Sequence, residues 1–147
     1  MKKAFKNKYC LCLLSISLLL FIMNCGGDDP SEPDQTPQEI AEALFTGTWN
    51  LNAGSITLDG VDVTDDYLGF TLNVMVGTYS TTNAGELFPA SGTWSWVGTS
   101  DAQVTTGSGK EITLSTLSET NLVIQFLKTN ANARVGIPGL YVINLSK

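Results

Sequence analysis

Histidine is absent from all 147 residues. That removes every Ser-His-Asp and Cys-His arrangement for nucleophilic catalysis, and the commonest metal ligand with it. The three cysteines, Cys10, Cys12 and Cys25, fall in the first 25 residues. Everything beyond has no thiol, so no disulfide and no thiolate zinc site can hold it, and stability must come from an ordinary core. Positive charge is scarce as well. The chain has 8 basic against 14 acidic residues, and beyond residue 24 only Lys110, Lys128, Arg134 and Lys147 are basic. There 4 − 14 leaves a net charge of −10. A surface so acidic excludes nucleic acid as a partner and does not adsorb to anionic lipid. What chemistry remains is carboxylate work or a hard cation. The densest acidic group is Asp59, Asp62, Asp65 and Asp66. Its spacing matches no EF-hand loop, and turn formation accounts for Asp59 as charge at a helix start does for Asp65 and Asp66. Glu86, Glu111 and Glu119 flank turns, and their spacing argues for no acid pair. The reading is a non-enzyme with no cofactor and no metal.

Long apolar runs are lacking too. The one extended run, Cys10–Met23, has 14 residues broken only by Ser15 and Ser17. As a helix it would rise about 21 Å, short of the ~30 Å hydrocarbon core. It follows Lys2, Lys3, Lys6 and Lys8 and precedes the first acidic residue, Asp28. A basic start and a short apolar stretch suit a secretory signal better than a permanent span. The run ends in Ile22-Met23-Asn24-Cys25-Gly26-Gly27-Asp28-Asp29. This resembles the lipobox of bacterial lipoproteins, with Ile22 at the aliphatic position three before the cysteine. Asn24 and Met23 depart from the usual residues, so an ordinary signal peptide or an uncut anchor stands as the alternative. The resemblance implies that Cys25 is acylated (palmitate-type chains) and becomes the mature N-terminus, fixing the chain to a membrane. Gly26 and the Gly-Gly-Asp-Asp run resemble export signals that place lipoproteins on the outer membrane and its surface. The expected division is a signal peptide over 1–24, a tether over 25–36 and a domain over 37–147. The tether is rich in Pro, Asp, Glu, Ser and Gln and packs nothing.

Within the domain, Thr36-Pro37-Gln38-Glu39 announces a helix through a capping box with proline in the first turn. Ile40 and Leu44 share a face, with Phe45 beside them. Beyond Gly47 the period changes to two. Thr48-Trp49-Asn50-Leu51 alternates, and Ile56-Thr57-Leu58-Asp59-Gly60-Val61-Asp62-Val63 is a hairpin signal. Phe70, Leu72, Val74 and Val76 fall on one face, and Trp94 shares a face with Trp96. Val104, Ile112, Leu114, Leu122, Ile124 and Phe126 mark the inward side of three further strands, and Leu140–Leu145 closes the domain. About eight short strands joined by tight turns favour an up-and-down barrel, whose closure leaves no edges.

Gly47-Thr48-Trp49 after a short helix resembles the Gly-x-Trp opening of lipocalin barrels. Phe88-Pro89-Ala90-Ser91-Gly92-Thr93-Trp94 resembles the lipocalin-like domains of small bacterial lipoproteins. The resemblance spans roughly Phe45 to Lys147 and implies an all-β, about eight-stranded lipocalin-like β-barrel with a short N-terminal helix. It also implies that Trp49 closes one barrel end beneath a basic residue. Arg134, the sole arginine, is the candidate, though it precedes the last strand. Trp94 and Trp96, with Tyr79 on a neighbouring strand, either line a site for a small apolar or amphipathic ligand or simply fill the core. The function expected is a lipid-anchored envelope binding protein. The alternative is a structural or partner-binding surface lipoprotein with a filled barrel.

Overall fold

The computed structural model describes residues 34–51, 53–129 and 137–147. Cys25 and Arg134 therefore lie outside the described residues. Thr36 caps helix α1 (Pro37–Phe45): its hydroxyl accepts from Glu39 N–H while the Glu39 carboxylate accepts from Thr36 N–H. The buried face of α1 is Ala41 and Phe45, with Leu44 half-buried, whereas Ile40 is exposed. The apolar stripe is thus turned from the expected Ile40–Leu44 line, because Phe45 is the side chain the barrel admits.

Ten strands follow: β1 (Gly47–Asn50), β2 (Ile56–Leu58), β3 (Val61–Asp62), β4 (Thr71–Met75), β5 (Thr78–Thr82), β6 (Ser91–Trp96), β7 (Gln103–Thr106), β8 (Glu111–Leu117), β9 (Asn121–Lys128) and β10 (Gly139–Ser146). A 3-10 turn, Thr64–Tyr67, joins β3 to β4. Eight of the strands form a closed antiparallel up-and-down barrel in the order β1-β4-β5-β6-β7-β8-β9-β10, with β10 returning to β1 through Asn50↔Ser146. The expected barrel is present. The hairpin β2–β3 is an addition to it, continuing β1 along the same edge of β10 through Ile56↔Ile143 and Leu58↔Tyr141. Its turn has φ of 51° at Asp59 and 83° at Gly60, the paired positive angles that an Asp-Gly hairpin turn supplies.

Between β1 and β2 the chain steps across Gly54, which lies so close to β10 that a Cβ there would sit 1.8 Å from the Asn144 carbonyl oxygen. Only glycine lets this seam close. Asn144 N–H donates to Ser55 O at 2.8 Å directly beside it.

Alternation then sorts the side chains. Leu72, Val74, Val104, Ile112, Leu114, Leu122, Ile124, Phe126, Tyr141, Ile143 and Leu145 point inward and are buried. Val76 is the exception to the expected face, since it lies in the β4–β5 turn and is exposed. Among the described residues no helix is long and apolar enough to cross a membrane.

Candidate functional site

One end of the barrel is closed by α1. Trp49, fully buried, donates its indole N–H to Phe45 O at 2.8 Å and so fixes the helix C-terminus against the barrel. The cation over its ring is Lys147, with Nζ 4.2 Å from the ring centroid. Lys147 also donates to Leu44 O at 2.7 Å and Thr46 O at 2.9 Å, carbonyls at the negative end of the helix. Gly47 is required beneath it, for at φ 132° a Cβ would meet the Lys147 stem at 2.9 Å. A basic residue over Trp49 was expected, and among the described residues it is Lys147; Arg134 lies outside them. The antiparallel register Asn50↔Ser146, continued by one residue, sets Lys147 opposite Trp49.

Trp94 and Trp96 both face this closed end. Trp94 is buried, meets Phe45 edge-on at 5.2 Å and Trp96 edge-on at 5.4 Å, and donates its N–H to Met75 O at 2.8 Å and Thr78 O at 3.1 Å. Its polar atom therefore secures the β4–β5 turn. Trp96 is half-buried and packs on Phe45 and Trp94. Tyr79 is buried farther along the barrel, edge-on to Phe88 at 6.2 Å, and burial pushes its hydroxyl pKa up. Trp94 and Tyr79 do share a cavity with Phe45, Phe88 and Thr106, but it measures only about 20 Å³. That is room for a water-sized molecule, against roughly 300–1,000 Å³ for small-molecule sites. Trp96 does not line it.

The opposite end is stoppered by the β5–β6 loop, which turns Leu87 and Phe88 inward to 1% and 5% exposure. Phe88 packs on Phe70 and Phe126 at 6.3 and 5.2 Å. Two lysines clasp this loop. Lys110 donates to Leu87 O and holds its ammonium 4.4 Å from the Phe88 ring and 4.3 Å from the Phe126 ring. Lys128 donates to Glu86 O at 3.3 Å and approaches the Glu86 carboxylate at 3.9 Å. Burial, with Lys128 nearby, lowers the Lys110 pKa to about 8. Burial lowers that of Lys128 too, against the pull of Glu86.

Neither lysine was a candidate from the sequence, yet the signal was there. Lys110 is two residues before Ile112, and Lys128 two after Phe126. Each continues an inward row past the barrel rim.

Two of the four clustered acids are spent on backbone: Asp59 accepts from Leu140 N–H at 2.9 Å and Asp62 from Thr64 N–H at 2.8 Å. Hydrogen bonding by the Thr64 side chain, and then by its N–H, lowers the Asp62 pKa.

The ionisation of Lys110 sets a pH dependence. Its pKa is near 8 folded and about 10.5 unfolded, so between those values the unfolded chain binds more protons and stability rises with pH. Lys128 and Lys147 are shifted in the same direction. Tyr67, Tyr79 and Tyr141 are shifted upward, mainly by burial, so stability is lost once unfolded tyrosines ionise above about pH 10. Denaturant titrations should show unfolding free energy rising from pH 8 to 10, by on the order of 1–2 kcal/mol after solvent screening. In Lys110→Met most of that rise should vanish. An unchanged slope would mean that Lys110 carries its ordinary pKa.

Compared with protein-family models, with curated proteins and with solved structures, the chain matches none.

Proposed function

We propose that this chain is a lipid-anchored cell-envelope protein, held at the outer membrane through Cys25, whose barrel is a filled scaffold that acts through its outer surface. The observation that carries the filled-scaffold reading is the internal cavity of about 20 Å³. Leu87 and Phe88 occupy one mouth, Trp49, Trp94 and Phe45 the other, and inward rows from eight strands meet between them. A small apolar ligand would have to displace these side chains. Placement at the envelope rests on the lysine-led apolar run and the sequence around Cys25. A lipocalin-like carrier is the competing reading of the same barrel, and it needs an interior that opens.

Native mass spectrometry of residues 26–147, secreted by the host without the acyl anchor, separates the two. The bare polypeptide mass is expected. An apolar adduct that survives concentrated ammonium acetate and leaves only on denaturation would overturn the filled-barrel reading. Salt at that strength strips ions held at the surface and leaves a molecule enclosed in the barrel in place.

A further inference from the structure

The barrel wall has a slot. Strands β8 and β9 are paired from Leu117↔Leu122 up to Thr113↔Gln125, and there the ladder stops. Above that point Glu111 and Ile112 pair only with β7, and Phe126, Leu127 and Lys128 only with β10. The two strands part over a cleft of about 580 Å³, within the range of small-molecule sites. Lys110 and Lys128 line it, as do Phe126, Leu127 and Leu140, with one carboxylate, that of the exposed Glu111, leaving two cations against one anion.

The two lysines are the telling feature. Continued by three residues, the β8–β9 register sets Lys110 opposite Lys128. Like charges directly across a ladder repel, and burial of one of them adds to the cost. The domain has few cations, yet two of them meet here. Among the described residues the sole ion pair at this rim is Lys128 with Glu86, at 3.9 Å, and Glu86 is largely exposed. Lys110 faces two ring faces, a carbonyl and its fellow lysine. Both causes that lower its pKa, burial and Lys128, are ones that a bound negative charge would offset.

One side of the cleft is apolar and differs in kind. Leu127 and Leu140 are cross-strand partners on β9 and β10, and both side chains are exposed. Phe126, next to Leu127 on β9, turns a ring face toward Lys110.

We propose that the cleft between β8 and β9 binds a small organic anion with an apolar portion. Lys110 and Lys128 hold its carboxylate or phosphate oxygens, and Phe126, Leu127 and Leu140 receive the rest. The site lies outside the filled interior and does not depend on the anchor. It therefore stands or falls separately from the function proposed above. The acidic surface of the domain favours a free small molecule over an anionic membrane as the source of the charge.

The test is calorimetric titration of the full chain in non-ionic detergent with phenyl phosphate and 3-phenylpropionate, and with neutral 3-phenylpropanol as the control. Both anions should bind and the alcohol should not. Lys128→Gln should weaken the anions on the order of tenfold, the loss of one charge-assisted contact. Lys110→Met should weaken them at least as much. Both lysines also hold the β5–β6 loop, so each variant is checked for a parent-like unfolding transition. Lys128→Gln, which keeps an N–H donor for Glu86 O, keeps the test valid if Lys110→Met unfolds. Equal binding of alcohol and anions would overturn the proposal. So would anion affinity unchanged in Lys128→Gln, or no heat with any of the three. Competition by anionic lipid vesicles would assign the oxygens to a lipid headgroup and overturn the small-molecule source.

Discussion

Replacing Phe88 by alanine should cost the barrel about 3–5 kcal/mol and turn its solid interior into one that takes up benzene. Phe88 is buried, and its ring touches Phe70, Tyr79 and Phe126 while Lys110 stands 4.4 Å from its centre. Deleting the ring removes those contacts and leaves a void on the order of 100 Å³ that strand-held neighbours cannot collapse to fill. The void would join the existing 20 Å³ cavity, which Phe88 already lines. A dry apolar hole of that size admits a benzene-sized molecule. Denaturant unfolding should register the loss, a large fraction of the roughly 5–15 kcal/mol a domain possesses. Benzene should raise the melting temperature of Phe88→Ala and leave the parent chain unchanged. Equal stabilisation of the parent would mean that the barrel already opens to apolar molecules, and the carrier reading would return.

The result bears on how a filled barrel arises from this chain. Inward positions on the strands supply layers of Leu, Ile and Val, but the wide upper mouth is closed by residues that belong to a loop. Leu87 N–H bonds Ala84 O at 3.0 Å, and Thr81 holds Pro89 O by its hydroxyl at 2.9 Å and Ala90 O by its N–H at 2.9 Å. These bonds aim Phe88 into the barrel. A loop aimed inward has no period, which is why Phe88 was legible only as part of a family-like stretch and its burial was not.

Strand parity was legible because a strand with one buried face tolerates no slip. The rows through Ile112 and Leu114 and through Leu122, Ile124 and Phe126 point inward as alternation requires, while on β10, where both faces are largely apolar, only the fold selects Tyr141, Ile143 and Leu145. Local devices were legible for the same reason. The capping box at Thr36–Glu39 and the Asp59-Gly60 turn each need only a few consecutive residues. What depended on distant partners was not. That β2 and β3 extend the β10 edge, and that Lys147 covers Trp49, are set by pairings across about a hundred residues of chain. The helix face is a similar case. Propensity fixed that a helix forms at Pro37, while the barrel end chose Phe45 and Ala41 over Ile40. At the slot, parity carried the two lysines inward, and only the place where the β8–β9 ladder stops brings them to one cleft.

Cys25→Ser should move the chain from the membrane fraction to the soluble fraction, with no change in the unfolding of the barrel. Beyond Asn24 this is the sole thiol, so no other residue can accept a thioether-linked lipid. Two acyl chains, at about 0.8 kcal/mol per buried methylene, make attachment stable where a single chain leaves it marginal. The residues after 24 carry a net charge of −10, which anionic headgroups repel, and no described helix can span. Serine keeps the size and polarity of the site but offers no thiolate to the transfer reaction. The mass of the N-terminal peptide makes the outcome specific. Acylated Cys25 at the amino terminus of the parent, together with release of Cys25→Ser, supports the anchor. Membrane retention of both proteins without an acyl mass would identify residues 10–23 as an uncut anchor. Both proteins soluble, with a free thiol in the parent, would identify an ordinary signal peptide. Under either outcome the cleft between β8 and β9 would keep its chemistry and lose its proposed address.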